Sequence, residues 1–477
     1  WNTTGALPPG LHLEPTTGAI TGTPNTSGTT NLTITTTDSS GTTVALNAQI
    51  QVQPGLPVPL LGVTTIKTAL GNGLGPTYAL TADGGVWAWG DNTYGELGNG
   101  TTTTSFTPVP VQGITGIQSI AAGYQNAYAV KGDGTVWAWG RNIYAQSGYQ
   151  TQTNSSVPVQ ITGVTNAQSV VVNDAAADNF SGSQFSVYVL TKDGTVLSWG
   201  RNWDGQLGDG SYVDSSAPVQ VQGLTGVTSL AAGGGSDNTG TASVFAVRND
   251  GTVWAWGDNQ NGQLGNGTTS SSPIPIQIPG LTGVQSITTD ELSPTSYPSF
   301  SVYALKSDGT LLSWGSNLNG ALGDGTTVEA HTPTQVQGIS GITQVVAGMK
   351  SVYGLKSDGT IWAWGYDGHG QLGNGSLSDS YVPIKISNIS GVNQISCNYD
   401  STAFAVKSDG TAWAWGNAGT ELIGNGAISD QTTPAQVATL SGVQSLTVSD
   451  EEAYAFISDK TVSMWGMDST SIGQLVH

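Results

Sequence analysis

A β-propeller is the fold class this sequence predicts, and three observations predict it. The segment Asp-Gly-Thr-Val-Trp-Ala-Trp-Gly at 250–257 recurs in close variants eight times, its last Trp falling at Trp89, Trp139, Trp199, Trp256, Trp314, Trp364, Trp415 and Trp465. Successive gaps are 50, 60, 57, 58, 50, 51 and 50 residues, a period that suits one supersecondary unit of several short strands. A Pro-rich strand opens eight times as well, at Pro57, Pro108, Pro158, Pro218, Pro275, Pro333, Pro383 and Pro434.

One unit, 107–148, shows how each element follows from its residues. Pro108-Val109-Pro110-Val111 reads as an edge strand, because its prolines cannot donate to a ladder. Ile117–Gly123 and Ala127–Val130 are two further strands of small and apolar residues. Asp133-Gly134 marks a tight turn, expected to be type I′ with positive φ at both positions. Thr135–Gly140 is the fourth strand, and period-two spacing sets Trp137 and Trp139 on one face. Four antiparallel strands of this size make one blade. The next stretch, such as Asp91-Asn92-Thr93-Tyr94-Gly95-Glu96-Leu97-Gly98, suits a loop crossing to the next blade with its Leu plugged between the two. The first Pro-rich strand, Pro57-Val58-Pro59-Leu60, precedes any Trp-Gly and is expected to complete the eighth blade.

The combined pattern Asp-Gly-x-Val-x-x-Trp-Gly-x-Asn-x-x-Gly-Gln-Leu-Gly resembles the repeat of the regulator of chromosome condensation family over about nine-tenths of the chain. The resemblance implies a propeller; members generally have seven blades, whereas eight full units here favour eight. For function it implies little, since propellers host many activities. The family's exchange-factor and nucleosome roles draw no support from a sequence without a basic arm. Its plant photoreceptor members carry a Gly-Trp-Arg-His-Thr signature that is absent here.

Residues 1–52 lack the repeat, which occupies 53–477. Leu7-Pro8-Pro9-Gly10-Leu11-His12-Leu13 and Thr17–Pro24 resemble immunoglobulin-like modules of bacterial surface proteins, with further strands expected from the alternation in Thr30–Thr37 and Thr42–Val52. In that family the Leu-Pro-Pro-Gly-Leu motif lies mid-domain, whereas only Trp1–Ala6 precede it here. Either an upstream segment or a strand from another molecule is expected to complete the module. In the second case Leu11, Leu13, Ile20, Leu32 and Ile34 would form the assembly surface of a filament or lattice.

Composition narrows the function classes. At 477 residues the chain exceeds one ordinary core, so a large ring or several domains are expected. Thirty-two acidic against 12 basic residues leave a charge of −20, a poor match for nucleic acid. No apolar run approaches the roughly 18–20 residues that span a bilayer, so membrane insertion is not expected. The single cysteine, Cys397, excludes an intrachain disulfide and is expected to act as a small buried hydrophobe. Low charge with abundant Thr, Ser, Asn and Gly points to an exported microbial protein, extracellular or on the cell surface.

No catalytic constellation is legible. The histidines at 12, 331, 369 and 477 show no metal-ligand spacing, and the repeated Asp83, Asp133, Asp193, Asp250, Asp308, Asp358 and Asp409 suit turns better than acid chemistry. No metal and no cofactor are expected. Thirteen of the fifteen tryptophans lie in the repeated frame, which assigns them to packing rather than to a chromophore. What varies is length. Units three, four and five are longer by 10, 7 and 8 residues at one matching point, giving insertions at 173–184, 233–242 and 289–299. Insertions at matching points of neighbouring repeats emerge on one face. They carry Asp174, Asp178, Phe180, Asp237, Asp290, Glu291 and Tyr297, an acidic and aromatic set expected to meet a protein or surface-glycan partner. Without an Asp-x-Asp-x-Asp-Gly spacing they do not read as a calcium loop. The leading expectation is a non-enzymatic surface scaffold or adhesion protein. A secreted inhibitor similar to β-lactamase inhibitory protein II is the second, and a lyase-like propeller enzyme the third.

Overall fold

The computed structural model describes residues 1–7, 11–22, 28–37, 40–52, 60–69, 75–123, 125–143, 146–148, 151–175, 184–234, 242–290, 300–348, 350–398, 402–419, 422–427, 429–437, 440–449, 452–466 and 469–474. The chain divides into two compact units, parting between Pro59 and Leu60. The fold is all-β, with propeller-type blades in the larger unit.

Among the described residues that larger unit holds eight four-stranded antiparallel sheets, numbered here in chain order. The second is typical: Ile117–Gly123, Asn126–Lys131, Val136–Gly140 and Ser155–Gln160, neighbours in space in that order. The Pro-rich strand thus belongs to the sheet before it in sequence, not to the unit it was expected to open. Ser105–Pro110 lies on Val86–Gly90, with Ala88 opposite Val109. The physical reason is locality, since the chain leaving Trp89-Gly90 loops round and returns antiparallel on the strand it has just left. The same arrangement corrects the closing strand. The eighth sheet takes its fourth strand from Ser469–Gln474, with Met464 opposite Gly473. Pro57–Pro59 lie outside the described residues, and Leu60 is buried in a cluster drawn from the first and eighth sheets.

The Asp-Gly turns also differ from expectation. Lys131 N–H bonds Thr135 O at 2.9 Å and Gly134 N–H bonds Lys131 O at 2.8 Å, a three-residue loop with a glycine bulge. Only Gly134 has positive φ, 84°. Asp133 keeps ordinary backbone because such a loop needs the left-handed region only at its bulge residue, and its carboxylate braces the turn, accepting Thr135 N–H at 2.9 Å and Thr135 Oγ1–H at 2.6 Å.

Packing between sheets repeats around the unit. Tyr78 of the first sheet meets Trp139 of the second edge-on, centroids 5.9 Å apart, and Tyr188 of the third meets Trp256 of the fourth at 6.5 Å. Each of these indoles donates to a carbonyl in the preceding loop: Trp139 to Glu96 O at 2.7 Å and Trp256 to Gln206 O at 2.9 Å. Leu97 plugs the space between as expected, fully buried with Tyr78, Val86, Ile117 and Trp139. Trp137, the other indole of the pair, is half-buried. The last and first sheets meet in the same way, through Tyr454 and Trp89 at 6.0 Å.

The smaller unit pairs Asn2–Thr4, Gly28–Thr37 and Thr43–Val52 in one sheet, and Leu11–Leu13 with Ile20–Gly22 in a hairpin. Of its five expected assembly residues, Leu32 is buried, and Leu11, Leu13, Ile20 and Ile34 are half-buried. Among the described residues the large apolar side chains that stand open in this unit are Trp1, Val44 and Leu46, the last two opposite Thr36 and Ile34.

Candidate partner-binding face

The strand order fixes which loops share an end. In each antiparallel sheet the connection from strand one to two and the connection from strand three to four leave at the same end, and the Asp-Gly turns lie at the other. All three insertions join strands one and two: Ala167–Ala175 to Gln184–Thr191, Val227–Gly233 to Ser243–Arg248, and Val284–Thr289 to Ser301–Lys306. Hydrogen bonds tie their flanks to the long three-to-four loops. Ser186 Oγ–H donates to Arg201 O at 2.8 Å, Ser243 Oγ–H to Asp258 O at 2.8 Å, and Ser301 Oγ–H to Ser316 O at 2.9 Å. The expected common face is therefore built from two loop sets, of which the insertions mark only one.

The long loops are pinned from within and from the next sheet. In the third, Asn202 Oδ1 accepts Leu207 N–H at 2.9 Å while its Nδ2 donates to Ser211 O at 3.0 Å and Val213 O at 3.1 Å. The loops also link to one another, with Asn319 Nδ2 donating to Asp379 Oδ2 at 2.8 Å and His369 Nδ1 lying 2.9 Å from Asp430 Oδ2. On this fixed frame stand exposed apolar side chains: Trp203 (60% exposed), Tyr212 (52%), Val213 (71%), Leu318 (40%) and Val328 (69%). Arg201 lies over the Trp203 ring, its guanidinium carbon 3.2 Å from the centroid. Such a cation–π contact holds the ring without hiding it. Sister positions carry Thr93, Ile143, Gln260, Leu318, Gly368 and Gly419 for Trp203, and Thr102, Gln152, Thr269, Thr327, Leu377 and Ile428 for Tyr212. An aromatic side chain at two positions where no sister loop has one was the signal that could have found these residues.

The insertion residues fare differently. Asp290 is not part of an exposed acidic patch: it is 4% exposed, its Oδ1 accepts Ser301 N–H at 2.9 Å, and its own N–H bonds Ser301 O at 3.1 Å. Burial pushes its carboxyl up to about 7, partly offset by those Ser301 bonds. It closes the end of a hairpin, as Asn398 does with Thr402 in the seventh sheet. Asp174 sits in the strand opposite Phe185. Asp178, Phe180, Asp237, Glu291 and Tyr297 lie outside the described residues.

Among the described residues no three His, Cys, Asp or Glu side chains converge as metal ligands, and no helix is long and apolar enough to cross a membrane. His331 is 3.6 Å from Glu329, an exposed pair. Cys397 is half-buried against the cluster around Trp415. The arrangement suits binding by shape and apolar contact.

Comparison with known proteins agrees with this architecture. The family model described as "Regulator of chromosome condensation (RCC1) repeat" matches residues 83–130, 133–188, 193–237, 250–289, 308–353 and 358–405. Residues 1–53 match the family described as "Putative Ig domain". The chain is 30% identical over 237 residues to the E3 ubiquitin-protein ligase HERC2 of Mus musculus, which covers 50% of this chain and 4% of that one. It is 33% identical over 162 residues to the Ultraviolet-B receptor UVR8 of Arabidopsis thaliana, covering 34% of each. The chain thus spans 4% and 34% of the length of these two relatives. Among solved structures, human WBSCR16 superposes with a TM-score of 0.56 at 21% identity, covering 77% of this chain and 96% of that one. Prp20p from Saccharomyces cerevisiae gives 0.53 at 21%, covering 76% and 87%. At such identity the likeness is one of fold.

Proposed function

The chain belongs to the regulator of chromosome condensation (RCC1) repeat family, and on that premise we propose that it is a non-enzymatic binding protein of the cell exterior, using the insertion-bearing face as its docking surface. One observation carries this reading: Trp203, Tyr212, Val213, Leu318 and Val328 stand exposed on loops that hydrogen bonds hold rigid, at the end where three consecutive repeats are also lengthened. Rigid exposed aromatics are the usual anchors of protein interfaces. Support also comes from propellers of this fold whose structures are described with protein partners, Gsp1p and histones for Prp20p and Kap60 for yeast RCC1. The immunoglobulin-like match at 1–53 supports an extracellular or surface setting, since such modules act as spacers there.

Screening the purified chain against secreted and surface proteins tests the reading. A partner whose affinity drops at least tenfold on Trp203→Ser with Tyr212→Ser, and holds on changes at the Asp-Gly turn end, is expected. A partner lost only through the turn end contradicts it.

The exposed aromatic pair also favours a second reading, a secreted inhibitor similar to β-lactamase inhibitory protein II. Saturable inhibition of an enzyme by the intact chain, lost in the same double variant, would select it. Self-association through the smaller unit is a finer proposal, supported by a ten-residue outer strand, Thr43–Val52, with Val44 and Leu46 exposed. Sedimentation velocity of the wild type against Leu46→Lys tests that proposal, which a monomer at every concentration contradicts.

A further inference from the structure

Two of the long loops hold a carboxylic acid where most of their sisters hold an amide. Three residues after the frame Trp stand Asn92, Asn202, Asn259 and Asn317, each with Oδ1 accepting the N–H of the plugging leucine and Nδ2 donating to two loop carbonyls. The sixth loop has Asp367. Its Oδ1 accepts Leu372 N–H at 2.9 Å, as in the sisters. The rest of the loop closes as theirs do, with Ser376 N–H on Asn374 Oδ1 at 2.7 Å and Ser378 N–H on Ser376 Oγ at 2.9 Å. Oδ2 therefore occupies the place of an NH2 group, yet as a carboxylate it has no proton to give. Asp367 is fully buried and Oδ2 has no hydrogen-bond partner.

A second position repeats the substitution. Gln206, Gln263 and Gln371 each turn Oε1 back onto a loop N–H, at 2.9, 2.8 and 2.7 Å, and Gln263 donates Nε2–H to Asp258 Oδ2 at 2.8 Å. The first loop has Glu96 instead. Its Oε2 accepts Tyr94 N–H at 2.7 Å, while Oε1 is buried without a partner. Asp91 stands where the fourth loop has Asp258, so the missing amide donor is replaced by a second acid.

We propose that Glu96 and Asp367 are held as neutral carboxylic acids, each proton doing the work of an amide N–H, so that the loops of the insertion-bearing face tighten in mild acid and loosen as pH rises. An unpartnered buried carboxylate among acceptors is costly, and protonation removes both the charge and the missing donor. Burial, reinforced by Asp91 and opposed by Arg141 and the loop N–H groups, pushes Glu96 up to about 7. Burial and then Asp379, against the Leu372 N–H, push Asp367 up to about 6. Tyr78 beside Glu96 and Tyr353 beside Asp367 stay protonated throughout, their own values driven well up by burial. Unfolded carboxyls ionise near pH 4. The stabilisation is therefore complete below about pH 4 and is lost as pH rises through about 6 and 7. Asp379 accepts Asp367 N–H at 3.0 Å and holds Asn319 of the neighbouring loop, so loosening at Asp367 reaches the loop that carries Leu318.

Thermal unfolding of the full chain at about pH 5 and about pH 8 tests this, in the wild type, Glu96→Gln, Asp367→Asn and the double variant. The wild-type Tm should fall by several degrees between the two, and each amide should raise Tm at the higher pH more than at the lower. The double variant should keep only the slope due to Asp290, which all four share. Equal shifts at both pH values, or no gain at the higher one, overturn the proposal. A calcium-dependent rise in Tm at about pH 8 that Asp367→Asn abolishes also overturns it, because the orphan oxygen would then be a cation ligand.

Discussion

Gly62 donates its backbone N–H to the carbonyl of Lys460 at 3.2 Å, joining the first sheet to the eighth. Seven related bonds join the other successive sheets, Ile117 N–H to Gly84 O at 3.0 Å among them. At the eighth junction the donor lies one residue earlier than in the others. The other turns have glycine where Lys460 stands, and a Cβ on Gly84 would come within 2.8 Å of Gly116 Cα. Lys460 has such a Cβ and holds φ at 72°. Replacing it with glycine should therefore stabilise the protein by about 0.5–1 kcal/mol, the left-handed strain relieved less the added freedom of the unfolded chain. Denaturant midpoints read this directly, and a loss of stability would mean that the lysine side chain contributes more than its backbone costs.

Trp256→Ala should cost about 3–5 kcal/mol, since the ring is fully buried and its N–H is bonded to Gln206 O. Trp203→Ala should cost less than about 1 kcal/mol, the scale of one exposed cation–π contact. Urea titration of both variants separates a packing tryptophan from a presented one, and equal losses would contradict the assignment of Trp203 to the surface.

Gly208→Ala should destabilise by more than about 2 kcal/mol, because strain at positive φ adds to displacement of the Trp256 bond. Gly208 has φ 66°, and a Cβ there would lie 2.8 Å from Trp256 Nε1 and 3.0 Å from Val221 Cγ1. Gly280→Ala is the control, with φ 71° and open space around the added methyl. It should show the strain alone. Differential scanning calorimetry of the pair tests whether the loop glycine is kept for the indole or only for its φ.

Acid should open the molecule through its turns. In Asp133, Asp250, Asp358 and Asp409 the hydroxyl of the following Thr, and then other donors including its N–H, hold the carboxyl below its ordinary range, Asp409 to about 2. For these groups stability is present above about pH 4 and is lost as pH falls below it, for Asp409 through about 2. The loss from Glu96 and Asp367 has the opposite sign and begins on the other side of pH 4, so Tm should peak at about pH 4 and fall as pH rises through about 6 and 7. A Tm that rises steadily to pH 8 would show that the buried acids carry little weight.

What the sequence determined by itself was the repeat, and with it the blades, the buried Trp of each Trp-Gly and the inter-sheet role of Leu97. Those features are periodic and local, so the hydrophobic pattern of one unit specifies them without reference to its neighbours. The sequence also placed the insertions at Asn173, Gly233 and Thr289 on a common end, because matching points of a repeat must map to one face. Tertiary structure decided what depends on pairing. Only the fold could assign Ser105–Pro110 to the sheet before it, or show that Ser469–Gln474 supplies the last strand of the eighth. It also took Asp290 out of the surface and set the loop carrying Trp203 and Tyr212 at the end where the insertions leave their sheets, with Ser186 at an insertion flank bonded to Arg201 O. Burial and strand partnership are sums over distant segments, and the same Asp can be a solvated acid or a hairpin clasp depending on what folds over it.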